Sequence, residues 1–307
     1  MRSLGLAVLA LAIAIVAAIS WSAIRLAEAS TRPLAFQAPS GAQRILILGY
    51  GGGDHLGAYL SDSLVLVMRD GSKQAEVSIP RDLWVQLPPN SGRYARINEA
   101  LQDGYNAGSP DTGAELAARK VAEVTGQTVT GWVLQDFQGF RQLIDALGGV
   151  DVDVARSFSA QYPVNDNPDV DARWKVIHFN AGRQHMDGEQ ALEFARARYA
   201  DVPQEASDFA RAARQQLLIG AVRQRLASPA GGLHFVAVAN AAPGAVRTNL
   251  SPVELLAFLS GFRPEQAKHI SLDSVVVDGR SPDGAQILLP RNGNYQLISE
   301  YVRSQLA

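Results

Sequence analysis

The stretch Arg44-Ile45-Leu46-Ile47-Leu48-Gly49-Tyr50-Gly51-Gly52-Gly53-Asp54-His55 carries the first decision about the fold. Its apolar run does not alternate with polar residues, as expected of a strand covered on both faces, and it breaks into glycines where backbone must approach something closely. Downstream, residues 63–68 and 75–79 read as two further strands separated by the turn Arg69-Asp70-Gly71-Ser72. Thr112 with Glu115 forms a capping-box pattern that opens a helix running to about Thr125, where Gly126 stops it. Residues 129–134 are strand-like. Asp136 then caps a segment in which Phe137, Phe140, Leu143, Ile144 and Leu147 recur at helical spacing before Gly148-Gly149. Residues 150–154 alternate apolar and acidic, which marks a half-exposed strand. Asp187 opens a helix that should end near Arg196, and Ser207 opens a longer one to about Leu226. Beyond Leu233, residues 235–238 and 274–277 read as strands, and 251–260 and 295–305 as helices. Interleaving of this kind predicts a layered α-β-α domain around a mixed central sheet, with no linker marking a second domain.

Composition narrows the function classes. The 307 residues are 47% apolar, ample for a core, and the formal net charge of -2 gives no overall attraction to nucleic acid. The arginines cluster near residues 196–225 with only Tyr199 and Phe209 among them, and with the charge balanced and the domain expected outside the cell no nucleic-acid partner is expected. The absence of cysteine excludes disulfides, thiolate zinc sites and cysteine nucleophiles. At the N-terminus Arg2 precedes an apolar run over residues 4–24, close to the roughly 20 residues that cross a bilayer as a helix. The expected organisation is a cytoplasmic end at 1–3, a transmembrane anchor at 4–24, a linker at 25–42 and an extracytoplasmic catalytic domain at 43–307. A cleaved signal peptide is the alternative, because Ala27-Glu28-Ala29 fits a small-x-small pattern. Both readings export the domain.

Three segments could carry chemistry. A helix from Ser207 places Asp208, Arg211 and Gln215 on one face and Ala210, Ala213 and Leu217 on the other, so it is expected to bury its alanine and leucine side and present the polar one. A solvated helix surface is the plain alternative. In Arg196-Ala197-Arg198 the two guanidiniums point to the same side only if the chain is extended, so the preceding helix should stop at Arg196. Paired guanidiniums offer planar donors that stay charged, which suits a pyrophosphate during bond cleavage, although many of this chain's arginines could be surface charge. Finally, Pro80 ends a strand so that Arg81 and Asp82 sit on the loop at its C-terminal edge, where open α/β sheets bind ligands. Upstream, Asp62 between Ser61 and Ser63 offers a position for magnesium or equally a plain turn.

In sequence order, Ile45 to Gly49, Ser61-Asp62-Ser63, Ser78-Ile79-Pro80-Arg81-Asp82, Arg96-Ile97-Asn98, residues 121–126, Leu147-Gly148-Gly149-Val150, residues 187–192, Arg196-Ala197-Arg198 and residues 208–215 together resemble the LytR–CpsA–Psr family of cell-wall glycopolymer phosphotransferases. The resemblance implies a membrane-anchored, single-pass enzyme whose domain lies outside the cell membrane. Its donor would be a polyprenyl-pyrophosphate-linked glycan with the lipid in an apolar tunnel, its acceptor a peptidoglycan hydroxyl, and polyprenyl phosphate its product. It implies Mg2+ (or Mn2+) at Asp62 and pyrophosphate contacts from Arg81, Arg196 and Arg198. Gln215 and Arg96, which stands where relatives carry lysine, would line the site. Asp82, Asp208, Arg211 and Arg214 would brace these groups or touch phosphate. Many relatives place Asp-x-Arg after the first strand; here the loop lacks that arginine, and Asp54 or His55 is the candidate stand-in as ligand or base. The altered loop leaves a second reading, a non-catalytic binder or regulator of lipid-linked precursors.

Overall fold

The computed structural model describes residues 41–167, 170–263 and 266–307, together with Arg25 and Glu28. The expected anchor at 4–24 and most of the linker lie outside the described residues. Among the described residues no helix is long and apolar enough to cross a membrane.

The apolar run that opens the domain becomes β1 (Gln43–Tyr50), and its side chains divide by parity: Leu46 and Leu48 enter one core, Ile45 and Ile47 another. β2 (Ser61–Asp70) pairs antiparallel to it and β3 (Lys73–Ser78) antiparallel to β2, around a turn at Gly71 whose φ of 58° favours glycine. A short hairpin, β4 (Trp84–Gln86) and β5 (Tyr94–Arg96), leads into α1 (Glu99–Ala107) and α2 (Pro110–Thr125). β6 (Gly131–Asp136) returns parallel to β1 and feeds α3 (Phe137–Ala146). A flanking region follows, made of β7 (Val150–Val154), β8 (Phe158–Pro163), β9 (Trp174–Phe179), β10 (Gly182–Met186), α4 (Gly188–Arg196) and β11 (Arg198–Ala200). Then come α5 (Asp208–Ala227), α6 (Pro229–Ala245), β12 (Arg247–Thr248), α7 (Pro252–Gly261), β13 (Lys268–Ser271), β14 (Val276–Arg280), β15 (Gln286–Pro290) and α8 (Gln296–Leu306).

The central sheet has the order β12-β6-β1-β2-β3-β13 and is mixed, with β6 and β1 parallel, β3 and β13 parallel, and the other pairs antiparallel. On one face Leu46, Leu48, Leu64 and Leu66 pack with α1, α2 and α8; on the other Ile45, Val65 and Val67 pack with Phe258 of α7. This is the expected α-β-α layering. A third core joins Ile144, Val152, Phe158, Phe194 and Leu218 and fixes α4 and α5 to the flanking strands.

Several expectations need correction. The helix expected from Thr112 starts earlier, at Pro110, because the Ser109 hydroxyl accepts the Thr112 N–H and proline fits the first helical position. The strand expected at 129–134 runs two residues later. Residues 235–238, expected as a strand, lie inside α6: the Val and Phe side chains mimic a strand, but the surrounding alanines favour helix, and α6 packs on α3. The strand expected at 274–277 begins at Val276, after the separate strand β13. α1 was not expected at all. Its Gly104 reads as a loop signal, yet it is a contact point: a Cβ there would come within 2.5 Å of Gly113 Cα on α2.

A candidate active site at one edge of the sheet

Strand direction puts four strand ends together. The C-termini of β1, β6 and β3 and the N-terminus of β2 share one edge, because β6 is parallel to β1 while β2 is antiparallel to both β1 and β3. The loop after β1 turns sharply: Gly52 and Gly53 have φ of 74° and 86°, and a Cβ on Gly52 would sit 2.9 Å from the Asp136 Cβ. Glycine is therefore needed there for both conformation and space. Asp136 itself caps α3, accepting the Gly139 N–H at 2.6 Å.

From β2 and β3 comes a chain of charges. Arg81 donates to Asp62 Oδ1 at 2.6 Å and lies 3.5 Å from Asp82 Oδ2, and Asp82 Oδ1 lies 3.7 Å from Arg96 Nη1. Backbone bonds lock this register, with Asn98 donating to the Arg81 carbonyl and Ser61 to the Asn98 carbonyl. The structure thus brings Arg81, Asp62, Asp82 and Arg96 into one network of half-buried groups. On the other side of β2's first turn, the Ser63 hydroxyl donates to Gln215 Oε1 at 2.9 Å, and the Gln215 amide points to the Ala195 carbonyl at 3.5 Å. Gln215 therefore links the Asp62 strand to the end of α4, one residue before Arg196.

Arg196 ends α4 as expected. Its guanidinium lies 3.7 Å over the Phe137 ring, and it donates to Tyr162 Oη at 2.9 Å and Asp166 Oδ1 at 2.5 Å. Asp166 also accepts from Arg141, so one carboxylate holds two guanidiniums. The Phe137 ring is in turn 3.7 Å from where a Cβ on Gly51 would stand, so Arg196 lies beside the glycine loop. Asp166, Tyr162 and Phe137 were missed as site residues. Phe137 reads as core from its spacing, and nothing local marks Asp166, which reaches Arg196 only through tertiary packing. Arg198 lies on β11, extended and paired with Gln161 of β8.

Helix α5 overturns the expected facing. Its buried side carries Arg211, Arg214, Leu218 and Ala221, while Ala213 is exposed and Leu217 is 43% exposed. The reason lies in Arg214, 3% exposed. It donates to the carbonyls of Phe194 (3.0 Å), Ala197 (2.6 Å) and Glu205 (3.1 Å) and to Glu205 Oε2 (2.9 Å). It braces the backbone on both sides of Arg196 rather than facing the edge. The side chain of Asp208 lies outside the described residues.

A metal held by protein alone does not fit: among the described residues no group of three His, Cys, Asp or Glu could hold one. Magnesium does fit the donor set, because it takes one or two carboxylates and fills its other positions from phosphate and water. Asp62, with a third of its side chain exposed at the edge, is the carboxylate so placed. Asp54 is exposed on the glycine loop.

Fold and edge define a class, the layered α/β proteins whose mixed sheet gathers arginines and carboxylates at one end. Within that class the LytR_cpsA_psr family model matches residues 17–303, and the chain belongs to the LytR–CpsA–Psr family. It is 32% identical over 238 residues to the polyisoprenyl-teichoic acid–peptidoglycan teichoic acid transferase TagV of Bacillus subtilis, covering 76% of this chain and 54% of that protein. The chain thus spans about half the length of that relative. The corresponding transferase TagU of Enterococcus faecalis is 25% identical, covering 85% of this chain and 79% of that protein. The crystal structure of B. subtilis TagV superposes with a TM-score of 0.63 at 27% identity, covering 87% of this chain and 98% of the crystallised one.

Proposed function

We propose that this protein transfers a glycopolymer phosphate from a polyprenyl-pyrophosphate-linked donor to a peptidoglycan hydroxyl outside the cytoplasmic membrane. The family and the named activities of TagV and TagU support the reading. The observation that carries it is the convergence of Arg81, Arg196, Asp62 and Gln215 on one sheet edge.

The acceptor hydroxyl oxygen forms a bond to the glycan-bearing phosphorus and gives up its proton, the bond from that phosphorus to the bridging oxygen breaks, and polyprenyl phosphate leaves with the electron pair, the proton balancing on it or on solvent. Such a reaction asks mainly for positioning and charge stabilisation. Arg81, Arg196 and Arg198 hold the pyrophosphate as charge moves to the leaving group. Neighbours keep two of them preorganised: Asp166 and the Phe137 ring fix the Arg196 plane, and Asp62 and Asp82 fix Arg81. A magnesium ion at Asp62, when bound, would neutralise phosphate oxygens. Arg96 and Gln215 contact the donor's polar groups, and Arg211 and Arg214 secure the helix that carries Gln215. Residues 4–24 anchor the chain in the membrane that supplies the lipid donor.

The test is polyprenyl phosphate release from a lipid-pyrophosphate glycan, with acceptor, with and without magnesium. Turnover that requires both agrees with the proposal. Retention of donor without release under every condition assigns the protein to binding alone.

A further inference from the structure

On the side of the edge opposite α5, three tyrosines stack. Tyr59, in the loop before β2, lies face to face with Tyr105 of α1, ring centroids 3.6 Å apart and planes 11° apart, and also stacks with Tyr50 at 5.4 Å and 22°. Tyr50 is the last residue of β1, beside Asp136 across the strand pair. The column therefore runs from the charged edge to Tyr105, which is 36% exposed. Two amide side chains flank it one helical turn apart, Gln102 and Asn106, bonded to each other at 3.0 Å, and Gln102 also accepts the Tyr59 N–H. A cleft of about 460 Å³ borders the same Tyr50, between Asp136, Pro110 and Arg247.

We infer that Tyr105, backed by Tyr59 and Tyr50, is the stacking platform for a pyranose ring of the acceptor glycan. A pyranose presents weakly positive axial C–H groups on one face, which match the negative face of an aromatic ring, and its hydroxyls match flanking amides. An exposed ring held by two others behind it is already ordered, so little entropy is lost on binding. The position suits an acceptor. Asn98, which precedes α1 and is bonded to the Arg81 and Ser61 backbone, lies seven residues before Tyr105, about 10 Å along a helix. That distance suits a short oligosaccharide with one hydroxyl at the charged edge and a neighbouring ring on Tyr105. Burial, with help from Tyr105, raises the Tyr59 pKa to about 12.

The inference rests on the proposed transfer, and the experiment separates the two. With the full chain, acceptor KM in transfer and Kd in calorimetric titration are measured for chitotetraose, using wild type, Tyr105→Ala and Tyr105→Phe. Removing the ring should raise both constants about tenfold, with the loss in KM rather than kcat, while Phe stays within about twofold. Binding that depends on Tyr105 without any turnover would overturn the transfer reading and keep the platform. Turnover with a KM indifferent to Tyr105→Ala, or no chitotetraose binding by wild type, overturns the platform.

Discussion

At the scale of single residues, this site depends on arginines whose neighbours decide their work. Arg81 and Arg196 are held by carboxylates yet remain a fifth or more exposed, at 23% and 20%, so both can still meet a ligand. Arg81→Ala should lower kcat about a hundredfold or more with little change in melting temperature, measured by single-turnover transfer. Arg214 behaves oppositely. Its donors go to protein acceptors, so Arg214→Ala should cost about 3 kcal/mol of stability in denaturant titration, because buried carbonyls and Glu205 lose their partner. The resemblance gives Arg81 a pyrophosphate contact and leaves Arg214 either bracing the site or touching phosphate. What separates them is burial, and the expected facing of α5 was reversed because local periodicity counts an arginine as polar even where it staples backbone.

Among the elements, those with strong local punctuation were readable. Asp187 and Gln190 form a reciprocal capping box at the start of α4, and Asp136 caps α3, both as the sequence indicates. Asp187→Ala should cost about 1 kcal/mol, seen in the denaturant midpoint, and should disturb Arg196 at the other end of that short helix. The strands β8 and β9 went unread although Phe158, Ala160 and Tyr162 alternate with polar residues, a two-residue period that was available. α1 went unread and α6 was misread for a different reason. Their glycines, or their valines beside alanine, carry local preferences that helix packing overrides.

Across the whole molecule, the layered architecture followed from the order of strands and helices, but the meeting of distant segments did not. Asp166 near Arg196, the Ser63 to Gln215 bond and the tyrosine column all join residues far apart in the chain, and no local pattern encodes them. The central sheet also buries Glu76, 3% exposed and pushed by desolvation to about 7. Its register neighbour on β13 is His269, which burial holds below its ordinary value and which is bonded to Gln216. Because the folded pKa lies above the unfolded one, the folded state holds the extra proton between about pH 4.5 and 7. Stability should fall as pH rises through that window, by at most about 3 kcal/mol. Glu76→Gln should flatten the decline, giving parallel melts at pH 5 and a higher melting temperature than wild type at pH 8.

The most direct test is equilibrium binding of a polyprenyl-pyrophosphate glycan, in magnesium, to wild type and to Arg81→Ala, Arg196→Ala, Arg198→Ala and the exposed control Arg173→Ala. Each of the first three variants should weaken binding at least about tenfold while the control matches wild type. Equal affinity in all five proteins would contradict the account, since pyrophosphate would then be held somewhere other than this edge.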